Sequence, residues 1–201
     1  MKRILLVLIL CLFVSAAYSQ TFRQGVGLSA HCGFLSNDDN DLTFSSALNY
    51  TPRFHFMEKK NISLSVGLPV SVGFSGGYSY DGDFEEYDSN DDVNFMVNAP
   101  LMIDFNWGAG ANRETKKRFG LFVGVGAGFH YGDFLERKYD ADNLYYYTQN
   151  RSVTSFGHAV NFGMRFATGR RQKNVELRFS IHDGVNKPRA TVLGVGTHFN
   201  F

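Results

Sequence analysis

The chain has little of what an enzyme core or a disulfide-bonded secreted domain requires. Its 201 residues include two cysteines, four prolines and one tryptophan, and its formal net charge is only +1. A balanced net charge implies no strong electrostatic partner, so we expect no nucleic-acid partner. No catalytic, nucleotide-binding or metal-ligating motif stands out, so we expect no enzyme activity and no cofactor. The length suits one domain.

The first residues of the chain have the composition of a secretory signal peptide. Two basic residues are followed by an apolar run over residues 4–14. The small residues Ala17 and Ser19 stand at the positions that a signal-peptide cleavage site requires. This pattern predicts export and cleavage after Ser19. The apolar run is too short for a membrane-spanning helix. We therefore divide the chain into a signal peptide, residues 1–19, and one domain, residues 20–201.

Cys11 raises the alternative of a lipoprotein signal. Ile9 and Leu10 immediately before it are too large for the usual lipoprotein cleavage site, which disfavours this interpretation. After cleavage at Ser19 only Cys32 would remain, so no intrachain disulfide is expected.

Glycine and aromatic residues are abundant instead, with 21 Gly, 20 Phe and 10 Tyr. Apolar and small or polar residues alternate in eight segments, which is typical of membrane β-strands. Thirteen alternating residues at about 3.3 Å each and a tilt near 40° cover roughly 30 Å, enough to cross the apolar layer of a membrane. The sequence predicts an eight-stranded antiparallel up-and-down transmembrane β-barrel, with strands at residues 25–34, 43–56, 62–74, 94–107, 119–132, 152–167, 175–182 and 190–201.

The connections between these segments alternate in character. Those after the second, fourth and sixth strands are short and rich in Lys and Arg (58–60, 113–118 and 170–173). Those after the first, third and fifth are longer or acidic. In barrels of this class the short turns face the periplasm and the long loops face outwards. We therefore predict periplasmic basic turns and extracellular loops at residues 75–93 and 133–150.

The signal peptide, the alternating strands, the asymmetric connections and the final Phe201 together resemble small outer-membrane β-barrel proteins of the OmpX and OmpA-domain kind. The resemblance implies a monomer embedded in the outer-membrane lipid of a Gram-negative bacterium. It also implies that the barrel-assembly machinery reads the last strand, with Phe199 and Phe201 as the assembly signal.

Five charged residues fall on the inward face of the predicted barrel. They are Arg53, Asp104, Arg165, Glu176 and Arg178. An eight-stranded barrel has room for packed side chains but not for a wide channel. Buried charges are costly unless they bond to each other or to water. The pattern favours a lumen ion network that plugs the barrel, with a gated, narrow pore for ions or small solutes as the alternative.

Two prolines test the register of the third and fourth strands. If Phe74 lies opposite Phe95, then Pro69 lies opposite Pro100. Neither proline can donate a ladder hydrogen bond, so we predict a local gap or bulge there.

The two long loops carry the candidate binding residues. Loop 75–93 is acidic, and Asp81, Asp83, Glu85 and Asp88 are weak candidates for a Ca²⁺ site, although a solvated loop without metal is favoured. Loop 133–150 contains four tyrosines, Tyr139, Tyr145, Tyr146 and Tyr147, which suit recognition of an extracellular ligand. The favoured interpretation, however, is that this region forms an interface belt or extends the hairpin beyond the membrane.

Three functions remain open at this point: a structural or adhesive barrel with a packed lumen, a narrow pore, and a lipid-modifying barrel enzyme. For the last, residues 180–186 resemble the active-site segment of lipid A deacylase, another membrane barrel. Gly184 stands where that family needs its nucleophilic serine, next to His182, and this departure disfavours the enzyme.

Overall fold

The structure, a computed structural model, describes residues 21–36, 42–78, 94–112, 115–140, 145–168 and 173–201. No described helix is long and apolar enough to span a bilayer. The regular elements are β1 (Thr21–Leu35), β2 (Leu42–Lys59), β3 (Ile62–Gly67), β4 (Val70–Tyr78), β5 (Asn94–Asn98), β6 (Leu101–Gly108), β7 (Phe119–Asp140), β8 (Tyr145–Ala167), β9 (Asn174–Gly184) and β10 (Ala190–Asn200).

The strands pair with their neighbours in a closed antiparallel ring. β1 pairs with β2 on one side and with β10 on the other. The remaining pairings run in chain order from β2 round to β9 and β10. Because β3 and β4 lie end to end, as do β5 and β6, the wall is eight strands around. Closure pairs the two outermost strands, which would otherwise expose backbone groups to lipid. The predicted all-β, eight-stranded up-and-down barrel is confirmed.

The prolines interrupt the third and fourth strands at the expected place. Phe74 pairs with Phe95, and the same register continues between β3 and β6, so Pro69 lies opposite Pro100. Both strands break there, between β3 and β4 and between β5 and β6. The predicted register and gap are confirmed. These breaks account for ten strand segments in an eight-stranded wall.

The hairpin of β7 and β8 is much longer than predicted. Pairing runs without interruption from Phe119 opposite Phe166 to Asp140 opposite Tyr145. The predicted loop 133–150 was therefore wrong over most of its length, and the interpretation as an extended hairpin is correct. Alternating apolar residues mark only the part of a strand that faces lipid, so a strand continuing into water loses its sequence signal. Residues 79–93 of the other predicted loop lie outside the described residues.

One bulge changes the face that β2 presents. The register of β2 against β3 shifts between His55 and Met57, so Phe56 is half-buried and Met57 is exposed. Simple alternation along the predicted strand 43–56 would place Phe56 on the outer face with Phe54. A bulge inserts one extra residue and so reverses the faces beyond it.

The outer wall is apolar and the interior is polar, the reverse of a soluble protein. Leu48, Leu28 and Val125 are 68%, 61% and 61% exposed. Inward residues such as Ser65, Asn106 and Ser155 are fully buried. A continuous apolar band of this kind is stable only when lipid covers it.

Candidate functional site: the barrel lumen

Three arginines surround one buried carboxylate in the lumen. Arg53 Nη2 and Arg178 Nη2 each lie 2.7 Å from Glu176 Oε1, and Arg165 Nε lies 2.7 Å from Oε2. All four side chains are at most 6% exposed. β8 and β9 position two of them directly, because Arg165 is the Cα partner of Glu176. We call these four residues the arginine cluster.

Asp104, the fifth charged residue expected in the lumen, stands apart from this cluster. Its side chain is 1% exposed, and no ion pair within 4 Å joins it to an arginine among the described residues. It faces Gly124, where an added Cβ would lie 2.0 Å from Asp104 Oδ1 and 2.4 Å from Asn161 Oδ1. The glycine therefore leaves the space that this carboxylate occupies.

Neutral side chains also contact the arginine cluster. The sequence places them on the inner face of the barrel but does not distinguish them from other inward residues. The Phe122 ring centroid lies 4.5 Å from Arg165 Cζ, 5.3 Å from Arg178 Cζ and 6.0 Å from Arg53 Cζ, within cation–π range. Asn106 Oδ1 accepts a hydrogen bond of 2.7 Å from Arg165 Nη1. Asn200 Nδ2 donates to Glu176 Oε2 at 3.2 Å.

The turn after β6 folds back across the lumen beside the arginine cluster. Gly108 and Gly110 have φ values of 75° and 76°, which favour glycine. Ala109 and Ala111 are 1% and 0% exposed. An added Cβ at Gly110 would lie 2.9 Å from Arg165 Cδ. We call residues 109–112 the inner turn, and it closes the lumen at the end that carries the short basic turns.

Apolar side chains pack together at the opposite end of the lumen. Phe134 packs closely enough on Gly33 that an added Cβ there would lie 2.7 Å from the ring. The residues of this group are 0–4% exposed, and we call them the apolar cap: Leu35, Phe134, Val153, Ala190 and Val192. Sequence reasoning missed the cap because its residues come from strands that meet only once the ring has closed.

A cavity of about 40 Å³ lies between the apolar cap and the arginine cluster. It is lined in part by His31, Asn49, Asn98, Asn161, Arg178 and His182. Each of these has a buried polar atom with no hydrogen-bond partner among the described residues. A cavity of this size accommodates about three water molecules. Its volume is far smaller than that of a channel for hydrated solutes.

The closed ring and its polar lumen are typical of outer-membrane β-barrels. The family model of the outer membrane protein beta-barrel domain matches residues 4–201. The chain belongs to this family. A search of the curated proteins finds no match.

Several solved outer-membrane β-barrels are similar in fold over most of the chain. Ail of Yersinia pestis, in complex with the heparin analogue sucrose octasulfate, is 11% identical, with a TM-score of 0.46, over 90% of this chain and 98% of that one. Neisserial surface protein A is 12% identical, with a TM-score of 0.47, over 90% and 99%. OprG of Pseudomonas aeruginosa is 9% identical, with a TM-score of 0.41, over 91% and 96%. Family membership and the strand pairing, rather than these distant likenesses, establish an outer-membrane barrel of Gram-negative type.

This outer-membrane β-barrel does contain a hydroxyl beside His182, contrary to the expectation from residues 180–186. Ser155 Oγ of β8 lies 3.0 Å from His182 Nε2 of β9. The motif comparison looked along one strand, whereas the hydroxyl comes from the neighbouring strand. Ser155 is 0% and His182 4% exposed, so both face the lumen. A lipid ester in the membrane does not reach this pair through the wall.

Metal binding is the remaining chemistry to place in the barrel. The rings of His130 and His182 approach to 6.1 Å between centroids. Among the described residues, no group of three or more His, Cys, Asp or Glu side chains is arranged to hold a metal ion. The weak Ca²⁺ candidates Asp81, Asp83, Glu85 and Asp88 lie outside the described residues.

Proposed function

We propose that this outer-membrane β-barrel is a monomeric, non-conducting structural barrel that presents its acidic segment and its long hairpin for recognition outside the cell. The observation that carries the proposal is the closure of the lumen at two levels. The apolar cap covers one end, and the inner turn lies against the arginine cluster at the other. A barrel closed in this way supports a role for its rims rather than for its interior.

The proposed export and membrane insertion are based on features of the amino-acid sequence. Residues 1–19 act as a cleavable signal peptide and residues 20–201 form the exported domain. The short basic turns face the periplasm, and the acidic segment 79–93 and the β7–β8 hairpin face outwards, as in other barrels of this class. The barrel-assembly machinery inserts the domain, with Phe199 and Phe201 as part of the signal it reads.

We expect the purified barrel to be electrically silent in planar lipid bilayers. The apolar cap disfavours hydrated ions, and the arginine cluster occupies the lumen beyond it, so the described side chains favour a barrel without a continuous aqueous path. The measurement is single-channel recording in concentrated KCl, with a conducting porin in the same bilayers to show that insertion events are detected. Steady unitary steps from the barrel would support the narrow pore instead. A narrow pore would run through the lumen cavity, and both the apolar cap and the inner turn would have to move to open it.

The segment at residues 79–93 gives the recognition role its chemistry. The region 75–93 contains seven acidic residues and neither Lys nor Arg. Such a segment repels anionic surfaces and attracts cationic ones. The extended β7–β8 hairpin adds a second projecting element at the same end. A basic protein or peptide surface is the partner class that this charge favours.

Removing four of the seven negative charges of the acidic segment is expected to weaken binding to a cationic probe without affecting the fold. The variant carries Asp81→Asn, Asp83→Asn, Glu85→Gln and Asp88→Asn, and the probe is an immobilised lysine-rich peptide. We expect a roughly ten-fold loss of affinity, since a surface charge pair contributes a few tenths to 1 kcal/mol and four charges are removed. Glu58→Gln at the opposite rim is the control and should bind like the wild type. Unchanged binding by the neutralised variant would argue against the segment as the recognition surface.

A further inference from the structure

Among its described residues, the rim formed by the short turns carries six exposed cations and one acidic side chain. Glu58, the acidic residue described at this rim, faces Arg23 at 4.0 Å with its side chain 15% exposed. Among the described residues, none of the rim lysines has a carboxylate within 4 Å. We call the following exposed residues the basic rim: Lys59, Lys60, Lys116, Lys117, Arg118 and Lys173.

A ring of exposed aromatic side chains lies on the outer wall next to the basic rim. Neighbouring strands contribute contacting pairs, with ring centroids 4.9 Å apart for Phe22 and Phe54 and 5.5 Å apart for Phe119 and Phe166. Phe199 adds a further exposed ring to this belt, and Trp107 is partly exposed. Aromatic belts mark the boundary between the apolar layer and the lipid headgroups. The belt therefore places the basic rim at headgroup level.

Two lysines of the basic rim contact this belt directly. Lys117 Nζ lies 4.2 Å from the centroid of the Trp107 ring, and Lys173 Nζ lies 6.0 Å from that of Phe199. Ammonium groups held against interfacial rings sit beside the phosphates of the adjoining lipids rather than far out in solvent. Their charge at that depth is not balanced by described acidic side chains.

We propose that the basic rim binds the headgroups of anionic phospholipids in the adjoining leaflet. Each Lys or Arg near an anionic lipid surface is attracted to it within about a Debye length, and several on one rim act together. The periplasmic placement of the short turns, proposed above, would make this the phospholipid leaflet that faces the periplasm. The binding itself does not depend on that orientation, because any leaflet at this rim meets the same cations.

Trp107 supplies a local reporter of this binding. It is the single tryptophan of the chain, it is 36% exposed, and it contacts Lys117. The barrel is folded into phosphatidylcholine vesicles that contain a minor fraction of a lipid brominated on its acyl chains. In one preparation the brominated lipid is phosphatidylglycerol, and in the other it is phosphatidylcholine at the same fraction. Bromine quenches tryptophan fluorescence on contact. We expect brominated phosphatidylglycerol to quench about two-fold more than brominated phosphatidylcholine at low salt, and this excess to fall at high salt.

Matched variants separate the basic rim from general charge effects. The variant with Lys116→Gln, Lys117→Gln and Arg118→Gln should lose the excess quenching, whereas Lys187→Gln at the opposite rim should retain it. The ratio of the two quenching values is compared within each protein, because Lys117→Gln alters Trp107 fluorescence itself. Equal quenching by both lipids in the wild type, or an unchanged ratio in the triple variant, would overturn the proposal. Heat-dependent gel migration confirms that each variant is folded.

Discussion

Replacing Glu176 with glutamine is expected to lower the free energy of unfolding by about 3–5 kcal/mol. This is the usual cost of removing the charge of one partner in a buried ion pair. Glu176 is 0% exposed and lies 2.7 Å from each of three arginine side chains. Glutamine keeps the shape but leaves the guanidinium groups without a countercharge at contact distance. The measurement is urea unfolding of the barrel in phospholipid vesicles, followed by Trp107 fluorescence and gel migration.

The control for this prediction is the same chemical change at Glu58. This side chain is 15% exposed and 4.0 Å from Arg23, so Glu58→Gln should cost no more than about 1 kcal/mol. A double variant, Glu176→Gln with Arg165→Met, should lose less than the sum of its single changes, because it also removes one uncompensated charge. A Glu176→Gln barrel as stable as Glu58→Gln would show that the arginine cluster is not held by its carboxylate.

Alternation in the sequence predicted the wall of this barrel closely because each wall position obeys one local rule. A residue faces lipid or lumen according to its parity along the strand. The opposition of Phe74 and Phe95, with the gap at Pro69 and Pro100, follows from that rule and from the missing proline donor. The exception is Phe56, where a bulge changes the parity without a clear signal in the sequence.

The contacts inside the lumen could not be predicted as well from the sequence, because they join side chains from strands far apart in the chain. Arg53 meets Glu176 across 123 residues, and which inward rows lie level depends on the stagger of the whole barrel. Parity places Phe122 and Ser155 inside, but it does not predict that one lies against three arginines or that the other bonds His182. The apolar cap was missed for the same reason, since Leu35 and Phe134 meet only once the ring has closed.

Deleting Phe199 to Phe201 is expected to remove most of the barrel from the membrane. The deletion takes away the pairing of Phe199 with Val26 and of Asn200 with Asn174, and two backbone hydrogen bonds between Phe201 and Gln24. Backbone groups left unpaired in lipid cost several kcal/mol each. Asn200 also contributes its hydrogen bond of 3.2 Å to Glu176. The measurement is the amount of heat-resistant folded protein, both in the cell envelope and after refolding into vesicles without assembly factors.

A side-chain variant distinguishes closure of the ring from recognition by the assembly machinery. Phe201→Ala keeps the backbone bonds to Gln24 and removes a ring that is 48% exposed. We expect it to refold normally in vesicles but to accumulate poorly in the cell envelope, because the proposed recognition of the ring by the assembly machinery would operate only in the cell. Phe22→Ala removes an equally exposed ring of the same belt, at 46%, and should behave normally in both assays. If Phe201→Ala accumulates in cells like Phe22→Ala, then Phe201 acts through its backbone in closing the barrel and not as an assembly signal.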